Sequence, residues 1–188
     1  QHPNFDPVKG ACNAAGDDCL PPPANLAEGL IIVGNSKGNV IVGTDGPDVI
    51  CGGNGHDRID GGEGDDYIDG GNGKDVVSGG LGNDTLLGGN GKDELHGYDA
   101  DHDSDSSDLA GQDDDVMYGE NGKDLLEGGP GDDSLDGGRG SDDIDGATGD
   151  DDLVGDKGKD TCSGTSDDTT DDDNSDCETE NEFENESD

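Results

Sequence analysis

The chain has little of what an ordinary soluble domain is built from. It holds no tryptophan, two phenylalanines, three tyrosines and one methionine in 188 residues, and only 25% of it is hydrophobic. So little apolar surface excludes a conventional core, and at high charge it is normally the composition of a disordered chain. Basic residues are scarce too: nine against 50 acidic ones, a formal net charge of −41. That sign argues against nucleic acid and anionic membranes as partners. Cations or basic surfaces are the natural ones. The best apolar run, Leu30-Ile31-Ile32-Val33, is far too short for a membrane span, so no membrane insertion is expected. Catalytic signatures are missing as well: there is no HExxH and no GxSxG. His2, His56, His96 and His102 are scattered, and the chain is read as no enzyme. It begins at Gln1, which reads as a mature product whose secretion signal has been removed.

The five cysteines are Cys12, Cys19, Cys51, Cys162 and Cys177, and no pair has CxxC spacing. Disulfides in an oxidising compartment are the expected use. Cys12 and Cys19 could close a small loop, and Cys177 could fold back onto Cys162. Cys51 is expected to face outward. With five cysteines, at least one thiol is free or bonded to another chain.

Glycine and aspartate are abundant, and they recur. From Gly34 to His96, and again from Ala110 to Ser163, the sequence follows a nine-residue frame, as in "GGNGHDRID GGEGDDYID". The span 34–163 holds thirteen units plus thirteen extra residues, Gly97 to Leu109. Position eight reads Ile41, Ile50, Ile59, Ile68, Val77, Leu86, Leu95, Met117, Leu126, Leu135, Ile144, Leu153 and Cys162. Position six is Asn39 once. It is then Asp48, Asp57, Asp66, Asp75, Asp84, Asp93, Asp115, Asp124, Asp133, Asp142, Asp151 and Asp160. Glycines at positions one, two and four permit a tight turn with carbonyls aimed inward. Position six adds a carboxylate. Positions seven to nine form a short strand whose middle side chain points one way and its neighbours the other. One such strand buries nothing alone; stacked copies do, which is the logic of a solenoid.

This array resembles the RTX, or hemolysin-type calcium-binding, nonapeptide repeat family. The resemblance implies an all-β fold, a right-handed parallel β-roll with two units per coil, two facing sheets and calcium in the turns. It implies that the twelve sixth-position aspartates and turn carbonyls bind several Ca2+ ions, each between a unit and the one a coil further on. Hard cations of this kind take six to eight oxygens.

Several stretches depart from the pattern. "GNSKGNVIV" has Lys37 at position four and Asn39 at six, and is read as a capping coil. "NLAEGLIIV" keeps the phase with Ile32 and extends the stack without metal. "AGQDDDVMY" has Asp113 in place of the fourth glycine, which puts its site in doubt. In the extra segment, Asp99, Asp101, Asp103 and Asp105 look like the start of an EF-hand loop, but its later Gly and Glu are missing. A regular Thr or Thr/Asn ladder, as an ice-binding face needs, is not seen in the mixed third and fifth positions.

The organisation read from this is a cysteine-containing arm with a Pro-rich linker (1–24), a roll (25–163) with an acidic insertion at 97–109, and an acidic cap or tail (164–188). The expected function is that of a secreted, extracellular, calcium-stabilised structural protein of a matrix, surface or filament, with copies associating end to end. The alternative is a calcium-dependent binding module for carbohydrate, mineral or host protein. A fragment of an exported enzyme or toxin is a third reading.

Overall fold

The computed structural model describes residues 29–98 and 113–164, and the backbone of 169–170. The glycine-rich half of each unit turns the chain and the other half forms a strand, as in Val40–Val42 and Thr161–Ser163. Successive units deliver strands alternately to two parallel sheets, of ten and seven strands. Ile50 pairs with Ile68, and Ile59 with Val77, so one coil is 18 residues and each strand neighbours the one two units on. The chain is an all-β solenoid of stacked coils, as the sequence implies. Among the described residues, no helix is long and apolar enough to cross a membrane.

Two aliphatic ladders face each other between the sheets. One runs Ile32, Ile50, Ile68, Leu86, Met117, Leu135, Leu153. The other runs Ile41, Ile59, Val77, Leu95, Leu126, Ile144, Cys162. Every member from Ile50 onward is at most 2% exposed. Burying one such side chain is worth roughly 1.5–3 kcal/mol, but each coil adds only two. Ile32 is in register with Ile50, so the described part of that unit, residues 29–33, does extend the stack. At that end Val40 is 80% and Val42 63% exposed: both flank the inward Ile41 on the outer face, and no strand among the described residues lies beyond Ile31–Val33 or Val40–Val42.

The extra residues do not break either ladder. Leu86 pairs with Met117 and Leu95 with Leu126 across an offset of 31 instead of 18. Gly97, where the insertion is expected to begin, still belongs to the coil. Its amide donates to the Glu127 carbonyl at 3.0 Å, and its carbonyl accepts from Gly80 at 2.9 Å. The Tyr98 carbonyl accepts from the Ser78 hydroxyl at 2.9 Å. The coil therefore holds through Tyr98. The EF-hand-like aspartates, the N-terminal arm with Cys12 and Cys19, and Cys177 all lie outside the described residues.

One expectation is corrected. Cys51 points away from the Ile50 ladder, as its phase requires, yet it is only 1% exposed; on the same outer face Val49 and Leu87 are buried too. This face of the ten-stranded sheet is covered there. Neither Cys51 nor Cys162 is a free thiol.

The second position of most turns takes a positive φ: Gly53, Gly71 and Gly89 have φ of 100°, 97° and 95°. Three residues that replace glycine there take the same region, Glu120 (68°), Ala147 (67°) and Asp156 (60°), whereas Asn35 and Thr44, in the first two units, do not. For a residue with a Cβ this costs roughly 1–2 kcal/mol. The fourth position is closed by contact: a Cβ on Gly73 would fall on the carbonyl oxygen of Gly55, one coil before.

Candidate metal centre

The alternation of turns sorts the sixth-position aspartates into two rows, one along each edge of the roll. All twelve are at most 3% exposed. Their two oxygens have different surroundings. Oδ1 accepts the backbone amide of the sixth-position residue one coil earlier: Asp57 donates to Asp75, Asp66 to Asp84 and Asp75 to Asp93, each at 2.8 Å. The series crosses the insertion, with Asp84 donating to Asp115 and Asp93 to Asp124, also at 2.8 Å. It continues to Asp160, which accepts from Asp142 at 2.8 Å.

Oδ2 is buried without a hydrogen-bond partner in Asp57, Asp66, Asp75, Asp84, Asp93, Asp124, Asp133, Asp142 and Asp160. A native structure rarely leaves such atoms unsatisfied, because each forfeits its hydration. The titration behaviour reflects this. Burial, with a smaller contribution from carboxylates one coil away, pushes Asp75 and Asp142 up to about 6 and Asp66, Asp93 and Asp133 to about 7. The same causes take Asp115 to about 8 and Asp84 to about 9.

Seven of these orphaned oxygens, those of Asp57, Asp66, Asp75, Asp84, Asp93, Asp124 and Asp133, border a cradle. The point where a Cβ would stand on Gly70 is 3.1 Å from Asp75 Oδ2 and 3.0 Å from the carbonyl oxygen of Gly88. On Gly88 the same point is 3.1 Å from Asp93 Oδ2 and 3.1 Å from the Gly119 carbonyl. On Gly119 it is 3.0 Å from Asp124 Oδ2 and 2.7 Å from the Gly137 carbonyl. A buried carboxylate oxygen thus converges, coil after coil, with the first-position carbonyl of the next coil. Among the described residues, no three His, Cys, Asp or Glu side chains gather at one point. Any ion here is therefore held by a carboxylate and peptide carbonyls together, a hard all-oxygen set that suits calcium.

The departures fall into order. Asn39 is neutral, and its Oδ1 accepts the Asn35 amide at 2.8 Å. Asp48 is satisfied within the protein: Oδ1 accepts from the Leu30 amide at 2.6 Å, and Oδ2 from the Thr44 amide at 2.7 Å and its hydroxyl at 3.1 Å. Thr44 stands where most later units have glycine, and its hydroxyl is what those units lack. The "AGQDDDVMY" unit keeps its cradle despite Asp113: a Cβ on Gly97 would meet both Asp115 Oδ2 and the Gly128 carbonyl.

Two features escape a nine-residue reading. Along one edge the third-position amides form a ladder, Asn90 donating to Asn72 at 3.1 Å and Asn72 to Asn54 at 3.2 Å. Merging the two edges into one column hides this run of asparagines among Asp45, Glu63 and Leu81 of the other edge. Asp69, outside the sixth column, is half-buried on the outer face, and its carboxyl is pushed up to about 6 by burial and then by Glu120.

The sequence profile of the RTX calcium-binding nonapeptide repeat, four copies long, matches the chain at residues 33–68, 69–101, 109–144, 127–162 and 136–170. No curated protein matches it.

Proposed function

Since the chain belongs to the RTX calcium-binding nonapeptide repeat family and is a calcium-binding β-roll, we propose that its ions are held by the sixth-position aspartates, each with the first-position carbonyl of the following coil. The observation that carries this is the buried, unpartnered Oδ2 at Asp57, Asp66, Asp75, Asp84, Asp93, Asp124, Asp133, Asp142 and Asp160. Asp115 and Asp151 join them by their place in the same rows. Asp48 does not, because Thr44 and Leu30 already satisfy its carboxylate. Calcium brings two positive charges to each cradle and so opposes the self-repulsion of a chain with net charge −41. Folding and metal binding are then one event.

The roll serves as a secreted structural element, stiffened by extracellular calcium and joined to other copies at its ends. Support for the joining comes from the exposed apolar strands Ile31–Val33 and Val40–Val42 at the N-terminal end, whose outer backbone edges pair with no strand among the described residues. Disulfides at Cys51 and Cys162, near opposite ends of the stack, fit a protein of an oxidising compartment. Calcium titration followed by calorimetry and circular dichroism tests the site. Binding without any gain of β signal, or a β-rich fold in excess chelator at pH 9, where the carboxyls are ionised, would sink it. Electron microscopy with calcium tests the assembly: rods longer than one roll support it, and isolated rolls at every concentration favour a monomeric binding module instead.

A further inference from the structure

Sorting the outer turn residues by coil, rather than by nine-residue unit, separates the charges. All six described lysines, Lys37, Lys74, Lys92, Lys123, Lys157 and Lys159, stand in turns that lead from the ten-stranded to the seven-stranded sheet, and all are exposed. Arg139 stands in the same row. Apart from the inward sixth-position residues, the acids in these turns are Glu120 and Asp156. The turns of the opposite edge hold no described lysine or arginine, and their outer positions carry Asp45, Glu63, Asp65, Asp114, Asp132 and Asp150, all exposed. A strongly acidic protein has thus placed all its described lysines and arginines but Arg58, which lies in a strand, on one edge and kept them off the other.

The acidic edge is also held in order. Asp65 Oδ1 accepts the Asn83 amide at 3.1 Å, Asp114 Oδ1 the Asp132 amide at 3.0 Å, and Asp132 Oδ1 the Asp150 amide at 3.0 Å. Both edges belong to one stack of coils, so their charges repeat at the same interval, roughly 4.8 Å per coil. The interval between the lysines of consecutive coils, as in Lys74, Lys92 and Lys123, is thus the interval between Asp114, Asp132 and Asp150 in another molecule.

We propose that the lysine edge of one calcium-loaded roll docks on the acidic edge of a second copy, side by side. The contact uses different surfaces on the two partners, so it leaves one edge of each kind free and extends into a row. It is distinct from joining at the ends, which is apolar. Each exposed ion pair contributes little, about 0.2–1 kcal/mol, so the contact depends on several coils engaging at once and weakens as salt screens it.

The inference rests on the calcium-folded roll. The test therefore uses the full chain with calcium, its fold checked by circular dichroism; a chain that does not fold with calcium fails the earlier reading, not this one. Sedimentation is measured in low and high salt for wild type and two variants. Lys74→Glu/Lys92→Glu/Lys123→Glu makes both edges acidic, and Asp65→Lys/Asp114→Lys/Asp132→Lys makes both basic. Expected are association of wild type that weakens at least about tenfold in high salt, monomers of each variant alone, and recovered association when the two variants are mixed. If a reversal variant does not fold, the neutral sets Lys→Gln and Asp→Asn at the same positions replace it, each expected to weaken association. Wild type that stays monomeric in low salt overturns the proposal. So does association that survives high salt and both variants, or a lysine edge that captures an acidic polysaccharide while the protein remains monomeric.

Discussion

At Asp75 one carboxylate oxygen caps an amide and the other faces a cradle, so the residue serves the backbone and the ion at once. Asp75→Asn keeps an acceptor but halves neither the burial nor the need for a ligand. It is expected to weaken calcium binding locally by about 1–3 kcal/mol, read by calorimetry. Lys74→Ala, at the exposed neighbouring position, should leave the same titration unchanged. Equal damage from the two would mean that the frame is misplaced. Leu86→Asp should be far worse than either, because Leu86 is fully buried in a single-file ladder and its replacement would be an unpaired charge there; loss of the calcium-induced β signal is the readout. Ala147→Gly should do the reverse. Ala147 holds φ at 67°, and glycine there should raise the stability of the calcium-loaded roll by about 1 kcal/mol, measured as a higher denaturation midpoint.

The coil is the element that matters, and it is 18 residues long although the sequence repeats in nine. The aliphatic column from Ile41 to Cys162 and the aspartate column from Asp48 to Asp160 were legible in the nine-residue frame, because every unit contributes to both in the same way. What the frame hid was anything that differs between alternate turns. Asn54, Asn72 and Asn90 make a ladder on one edge while Asp45, Glu63 and Leu81 occupy the same position on the other, so one merged column looks irregular. The burial of Cys51 was also beyond reach, since period-two alternation says which side a residue faces and nothing about what covers that side. The insertion was visible as a break in phase, but not that Gly97 and Tyr98 stay in the coil. Because Leu86 meets Met117 as Ile68 meets Leu86, removing residues 99–111 should restore the 18-residue offset and leave the ladders untouched. The shortened chain is expected to give the same calcium-induced circular dichroism; loss of that signal would show that the segment is needed for stacking.

For the whole molecule, pH and calcium act on the same carboxyls with opposite sign. In the metal-free roll their folded pKa values lie above the ordinary value near 4, so the folded state binds protons more tightly than the unfolded chain. Stability without metal is then greatest below about pH 4. It falls as pH rises through about 6 for Asp75, 7 for Asp93 and 9 for Asp84, and is lowest above that. Calcium needs the ionised form, so it should restore the fold where pH has removed it. A metal-free β signal at pH 4 that fades by pH 9 and returns on adding calcium is the expected record; a metal-free signal that grows with pH would contradict it. The sixth-position amide caps have a further consequence, because those all run one way. Asp57 is capped by Asp75 and Asp142 by Asp160, always by the coil nearer the C-terminus. The two ends are therefore chemically unlike. A chain cut short at its C-terminal side leaves bare neutral amides, whereas one trimmed at its N-terminal side leaves an anion stripped of its donor, the costlier loss. Construction thus has a direction: the sixth-position amides of each coil are finished only by its successor, and a half-emerged chain always carries bare ones at its newest edge.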